Sequence, residues 1–241
     1  MTQARDLLSP GTAAPMDVLV VTPLQAELEA LLRACLEQGC DAQQTALGRL
    51  PVTRLPGLGI SLACGGTGKA QFALQTQHLL DVHPGWGVVI CAGTAGALSD
   101  ELAIGDVVVA SATVEHDYRN GFTAHPPPTF ASPPAVVAGL AQALGPSVPF
   151  RVHVGVVASG DEDIMEPGRR AALRGWTGAL AVAWEGAGGA RACQFSGVPF
   201  VELRGISDAA GPSAPGDFER NLALAMRHVA LLLMAWRGYA G

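Results

Sequence analysis

Short apolar runs recur along the chain, and most are followed by a stretch whose apolar residues fall three and four apart. "DVLVVT" (17–22) is such a run, rich in β-branched residues, and predicts a buried strand. The "LQAELEALLRACL" stretch after it places Leu24, Leu28, Leu31, Leu32 and Cys35 on one face of a helix. "GISLACG" predicts a strand, and "GKAQFALQTQHLL" a helix opened by glycines. "GVVICAGTAGAL" predicts a strand running into a turn of small residues, and "IGDVVVASATVEHD" a long strand or strand pair. A proline-rich, loop-like stretch from 120 to 149 holds one helix, "PPAVVAGLAQAL". Then come a strand in "FRVHVGVVASG", a short helix in "EPGRRAALRG", a strand in "ALAVAWE", a small-residue helix in "GAGGARACQF" and a strand in "VPFVELRGISD". A closing helix covers about 217–236.

Alternation of this kind predicts an α/β domain: a three-layer sandwich whose central, mostly parallel (mixed) twisted sheet is flanked by helices. With no internal repeat and no clear linker, residues 16–241 form a single domain. Residues 1–15 lack an apolar core, carry two prolines and read as a disordered tail rather than a signal peptide. The apolar stretch "LALAMRHVALLLMAW" is interrupted by Arg227 and His228, so it is an amphipathic helix rather than a membrane span.

Composition narrows the partners. Hydrophobic residues make up 49% of the 241, which is ample for a core, and charged residues only 15%, with a net charge of −6 and no basic stripe. A nucleic-acid partner is therefore not expected. Five cysteines without a C-x-x-C pair fit neither a disulfide framework nor a zinc site, and predict a reducing cytoplasm.

In parallel sheets ligands bind beyond the carboxyl ends of the strands. Three acids stand at or just after such ends: Glu27, Glu185 and Asp208. A carboxylate there is costly to desolvate unless it is paired, hydrogen-bonded or protonated. Singly, each has a plainer reading: Glu27 as a solvated first-turn helix acid, Glu185 as a cap of the following helix, Asp208 as an Asx-turn or cap residue. Their joint occurrence favours a site. Glycines in "CGGTGKA" and "CAGTAGAL" predict tight turns and free helix N-termini close to a ligand. "GGTGK" fails the phosphate-loop spacing, since Ala70 follows Lys69. His116–Asp117 is too little for a metal site, and a structural or subunit-contact role suits it better.

The ordered blocks "VVTPLQAELEAL", "CGGTGKAQFAL", "VVICAGTAGAL", "LAIGDVVVASATVEHD", "VASGDEDI", "AVAWEGAGGARAC" and "VPFVELRGISDAAG" resemble the nucleoside phosphorylase/nucleosidase superfamily over residues 17–236. They look closest to the 5′-methylthioadenosine/S-adenosylhomocysteine nucleosidases. The resemblance implies hydrolysis of a purine N-glycosidic bond with no metal and no organic cofactor. It implies that Glu27 activates water, that Asp208 protonates the purine at N7, and that Glu185 holds the ribose hydroxyls. Thr94, Ile164, Phe218, Trp184, Ser207, Leu24, Gly96 and Asp163 complete the substrate pocket it implies. It further implies a homodimer, with residues 116–130 contributing to the interface and the neighbouring pocket.

Three departures from the family pattern bear on the substrate. Asp163 stands where an aromatic usually stacks on adenine, Trp184 where methionine is usual, and Ala183 where a second glutamate is common. They leave room for a futalosine- or adenosylhopane-type nucleoside. The phosphorolytic relatives carry arginines in the first βα turn and before "AGT"; here Pro23, Leu24 and Cys91 occupy that neighbourhood. With nothing cationic to hold phosphate, water is the expected nucleophile. A phosphorylase of the same fold and a non-catalytic nucleoside-binding or storage protein are the alternatives. The retention of all three acids argues against the last.

Overall fold

A computed structural model describes residues 17–119, 121–122 and 125–239; the expected N-terminal tail and Met16 lie outside them. The first strand, β1 (Val18–Thr22), is buried throughout. Its side chains alternate between two cores. Val18 and Val20 pack with Leu28 and Leu31 of helix α1 (Gln25–Glu37) and with Val229 and Leu233 of the closing helix α6 (Ala214–Trp236). Leu19 and Val21 pack on the other face with Phe72 and Leu79 of α2 (Lys69–Val82) and with Ala190 and Cys193 of α5 (Gly186–Ser196). A strand apolar at every position before its last, Thr22, is thus explained by helices on both faces, which makes three layers.

The sheet is mixed. β1 lies between β4 (Ile60–Cys64) and β5 (Val88–Ala97), parallel to both. β5 continues parallel to β10 (Phe200–Asp208). From there the sheet curls back: β10 pairs antiparallel with β6 (Val107–Glu115), β6 parallel with β8 (Val152–Ser159), β8 parallel with β9 (Ala181–Ala183), and β9 antiparallel with β5. Five strands therefore close into a ring, and β1 and β4 extend from it. Two further helices, α3 (Pro134–Ala141) and α4 (Pro167–Thr177), and the short strand β7 (Thr129–Ala131), paired with β6, complete the fold.

Two local expectations change. Residues 43–55, unassigned from the pattern, form a hairpin of β2 (Gln43–Leu47) and β3 (Leu50–Leu55) at the sheet edge. "CAGTAGA" is not a turn but the second half of β5, all of it buried. Its small residues serve close packing: a Cβ on Gly93 would lie 2.7 Å from Nη1 of Arg204 and 3.0 Å from Oε1 of Glu27, and one on Gly96 would lie 2.8 Å from Oδ1 of Asp208. In "CGGTGKA", by contrast, Gly66 and Gly68 take φ near +80° and make the turn into α2.

Candidate active site

Beyond the ends of β1, β5, β9 and β10 lies a cavity of about 360 Å³, within the size range of small-molecule pockets. Its lining includes Glu27, Glu185 and Asp208 together with Leu24, Thr94, Gly96, Asp163, Ile164, Trp184, Ser207 and Phe218. The parallel strands β1, β5 and β10 place their carboxyl ends at one edge, and β9, running antiparallel to β5 with Val182 opposite Gly96, carries Glu185 back into the same hollow.

Glu27 sits in the first turn of α1 and is 2% exposed, so it is not a solvated helix acid. Its Oε1 accepts from the amide (2.7 Å) and hydroxyl (2.7 Å) of Thr94, and its Oε2 from the Leu24 amide (3.1 Å). Burial raises its pKa, while these donors and the nearby Arg204 charge pull the other way. Glu185 immediately precedes α5, but its side chain does not cap that helix. Instead its Oε1 accepts from the Gly68 amide at 3.0 Å. Burial pushes its pKa up to about 7, with Arg204 opposing. The amide of Lys69 is likewise taken, by Oδ1 of Asp161 at 2.9 Å. Two of the N–H groups expected to be free at the start of α2 are therefore bonded to the protein's own carboxylates, in line with the failed phosphate-loop spacing.

Asp208 ends β10 and is 8% exposed. Its Oδ1 accepts from the Ala210 amide (2.9 Å), an Asx-type contact, and its Oδ2 from the Ser207 hydroxyl (2.8 Å). Ala210 adopts φ +46°, a strained value for a residue with a Cβ, and lies against Gly96. Burial raises the Asp208 pKa, and the two hydrogen bonds offset part of that rise. Among the described residues, no cation lies within ion-pair distance of Glu27, Glu185 or Asp208.

The remaining wall is formed by several elements. Phe218 comes from near the start of α6, and Asn221, three residues on, donates to the Ser207 carbonyl at 2.9 Å. Trp184 is partly exposed to the cavity, and its carbonyl accepts from Ser159 at 2.6 Å. Ile164 is buried, and Asp163 beside it is exposed. His116 is buried next to Glu162 and Arg169, and Asp117 pairs with Lys69. Both are engaged in protein contacts, and no group of His, Cys, Asp and Glu among the described residues is arranged to hold a metal.

Arg204 was missed by the sequence reading. It lines the cavity, is 1% exposed, and corrects the statement that nothing cationic stands near the site. Its guanidinium is engaged by Glu202, with Nε at 2.8 Å and Nη2 at 2.7 Å from Oε2. The signal was present in "VELRG": in a strand, residues two apart share a face, so an acid and a base two apart in an otherwise apolar run mark a buried pair.

The phosphorylase superfamily model matches residues 17–235. A 5′-methylthioadenosine/S-adenosylhomocysteine nucleosidase of Geobacillus kaustophilus is 32% identical over 228 residues, covering 91% of this chain and 96% of the relative. The crystal structure of a Helicobacter pylori nucleosidase variant of that type, with 5′-methylthioadenosine in its active site, superposes with a TM-score of 0.81 at 26% identity, over 94% of this chain and 100% of the other. A futalosine hydrolase of the same organism superposes with a TM-score of 0.79 at 26% identity, over 93% and 98%. A match that spans nearly the whole described chain, on a fold shared with those structures, makes this protein a member of the phosphorylase superfamily.

Proposed function

We propose that the protein is a purine nucleosidase, hydrolysing the N-glycosidic bond of 5′-methylthioadenosine, S-adenosylhomocysteine or a close analogue. The observation that carries this reading is the convergence of three buried carboxyl groups, none of them ion-paired, on one nucleoside-sized cavity. Cleavage of such a bond passes through an oxocarbenium-like sugar and needs a proton on the departing base. Asp208, its pKa raised by burial, is the acid that delivers the proton to purine N7. Glu27 takes a proton from water as the water adds to C1′. Its three hydrogen-bond donors favour the ionised form, while burial raises its pKa and so its basicity. Glu185, once ionised, accepts the two ribose hydroxyls and favours positive charge in the ring. The C1′–N9 electron pair leaves with the base, so adenine and a free ribose derivative are the products.

Leu24, Thr94, Gly96, Ile164, Trp184, Ser207 and Phe218 shape the base and sugar pockets in this reading, and Asp163 stands at the mouth. Water is favoured over phosphate because Arg204, the one cation among the described lining residues, is already neutralised by Glu202. We further propose a cytoplasmic homodimer acting in methionine salvage. In support, all five cysteines are free, and Tyr118 in the 116–130 stretch is half exposed. No described helix is long and apolar enough to cross a membrane.

The test is a panel of methylthioadenosine, adenosylhomocysteine, a futalosine-type nucleoside and inosine, each incubated with the protein with and without phosphate, with free base scored by chromatography. Adenine release independent of phosphate is expected. Release that requires phosphate makes the protein a phosphorylase, and binding without release makes it a nucleoside-binding protein.

A further inference from the structure

We propose that Glu202 is a positioning residue for this site: it captures the Arg204 guanidinium and thereby keeps Glu27 and Glu185 free of an ion pair with the cation that lines their cavity. The inference rests on the nucleosidase reading above for its kinetic consequences, but its geometric basis is independent of that reading.

A fully buried guanidinium must find a counter-charge. Three carboxylates stand near enough to act on Arg204: Glu202, Glu185 and Glu27. Only Glu202 makes the pair, because it lies two residues earlier on the same face of β10. Its Oε2 takes both Nε and Nη2. Its Oε1 is occupied by the Thr113 hydroxyl of β6 at 2.5 Å, and its carboxyl abuts Gly186, where a Cβ would lie 2.0 Å away. Glu202 is therefore clamped from β6 and α5 and is itself 0% exposed. Nη2 also contacts Cys91 Sγ at 3.1 Å. What remains is Nη1, which among the described residues reaches only the Thr94 carbonyl, at 3.5 Å, and flanks Gly93 opposite Oε1 of Glu27. The arginine thus presents one loosely engaged N–H corner beside the catalytic base, with most of its charge balanced from behind. Released from Glu202, the same guanidinium would close on Glu27 or Glu185, hold it as a carboxylate, and occupy the oxygens meant for water or ribose.

The test compares wild type with Glu202→Gln and with Thr113→Val, an isosteric change that loosens the clamp while leaving both charges. In Glu202→Gln, kcat falls by about 10- to 100-fold, the scale of a misplaced catalytic group, while KM changes little. The acid limb of the kcat/KM profile moves down by about one pH unit, because an unbalanced guanidinium favours the carboxylate forms of Glu27 and Glu185. Thr113→Val moves both quantities in the same direction by less, and carries the test if Glu202→Gln does not fold. A purely structural ion pair would lower the melting temperature and leave the acid limb where it was. Wild-type kcat and an unmoved acid limb in the folded variants overturn the proposal. If wild type cleaves no nucleoside, the nucleosidase reading fails instead. The Glu185 midpoint, followed by carbon-13 NMR in the free protein, still decides this one: a lower midpoint in Glu202→Gln supports it and an unchanged midpoint overturns it.

Discussion

Asp106 and Asp208 are neighbours in the sheet, with the Asp106 carbonyl accepting from the amide of Ile206, two residues before Asp208. They are similarly buried, at 4% and 8% exposure. Their charge states nevertheless diverge. Asp106 accepts from the amides of Arg151 (3.0 Å) and Ala103 (3.1 Å) and contacts the Arg151 guanidinium (3.2 Å) and the His153 ring (2.9 Å). Despite the opposing effect of burial, those partners hold its carboxyl below the ordinary value. Asp208 has one amide and one hydroxyl and no cation, and its pKa rises. Burial raises the cost of a carboxylate in both places; Asp208, though similarly covered, lies deeper in the protein and has fewer donors, none of them charged, so there burial prevails. One acid pins strands; the other, in the reading proposed above, holds and releases a proton.

Three substitutions test that contrast. Asp208→Asn removes the proton donor and costs about 10³-fold in kcat, or about 4 kcal/mol of barrier, with the melting temperature nearly unchanged. Near-wild-type turnover in steady-state kinetics would remove Asp208 from its role.

Glu185→Gln separates function from stability. The folded protein keeps the Glu185 proton up to about pH 7, whereas the unfolded chain loses it near 4.5. The unfolded state therefore binds fewer protons across that window, and wild-type stability falls as pH rises through it. The variant lacks this loss and is more stable at pH 8 by up to about 3 kcal/mol, with no gain at pH 4. Urea titrations at the two pH values measure the difference, and the same variant is expected to bind and cleave nucleosides poorly.

Asp106→Asn has the opposite sign. The stability contributed by a carboxyl whose pKa is lowered on folding is present above the unfolded value near 3.8 and is lost as pH falls through the lower folded value. The variant loses about 2 kcal/mol at neutral pH, and this deficit shrinks in acid. Its folded fraction keeps wild-type kcat. A fall in kcat at unchanged stability would place Asp106 in the active site and erase the contrast.

Most of the framework was legible because burial on both faces leaves a plain mark. β1 and β5 are apolar or small almost throughout, β10 is so apart from Glu202, Arg204 and its closing Asp208, and the helices between them show apolar residues three and four apart. The β2–β3 hairpin left no such mark. Every residue of β2 is at least partly exposed, so there is no buried face to impose alternation, and Pro51 interrupts β3. The small residues of "AGTAGA" were read as a turn because glycine serves two needs, backbone freedom and close approach, that look alike in a sequence.

The amino-acid order by itself determined the alternating elements and singled out the strand-end acids Glu27, Glu185 and Asp208. Only the tertiary structure decided that these acids share one cavity, that Gly68 rather than the α5 helix end receives Glu185, and that Arg204 beside them pairs with Glu202. The physical reason is one of range. Helix and strand periods are set by neighbours a few residues apart, whereas the charge of a buried group depends on donors brought from distant segments, and no local pattern encodes which donors arrive.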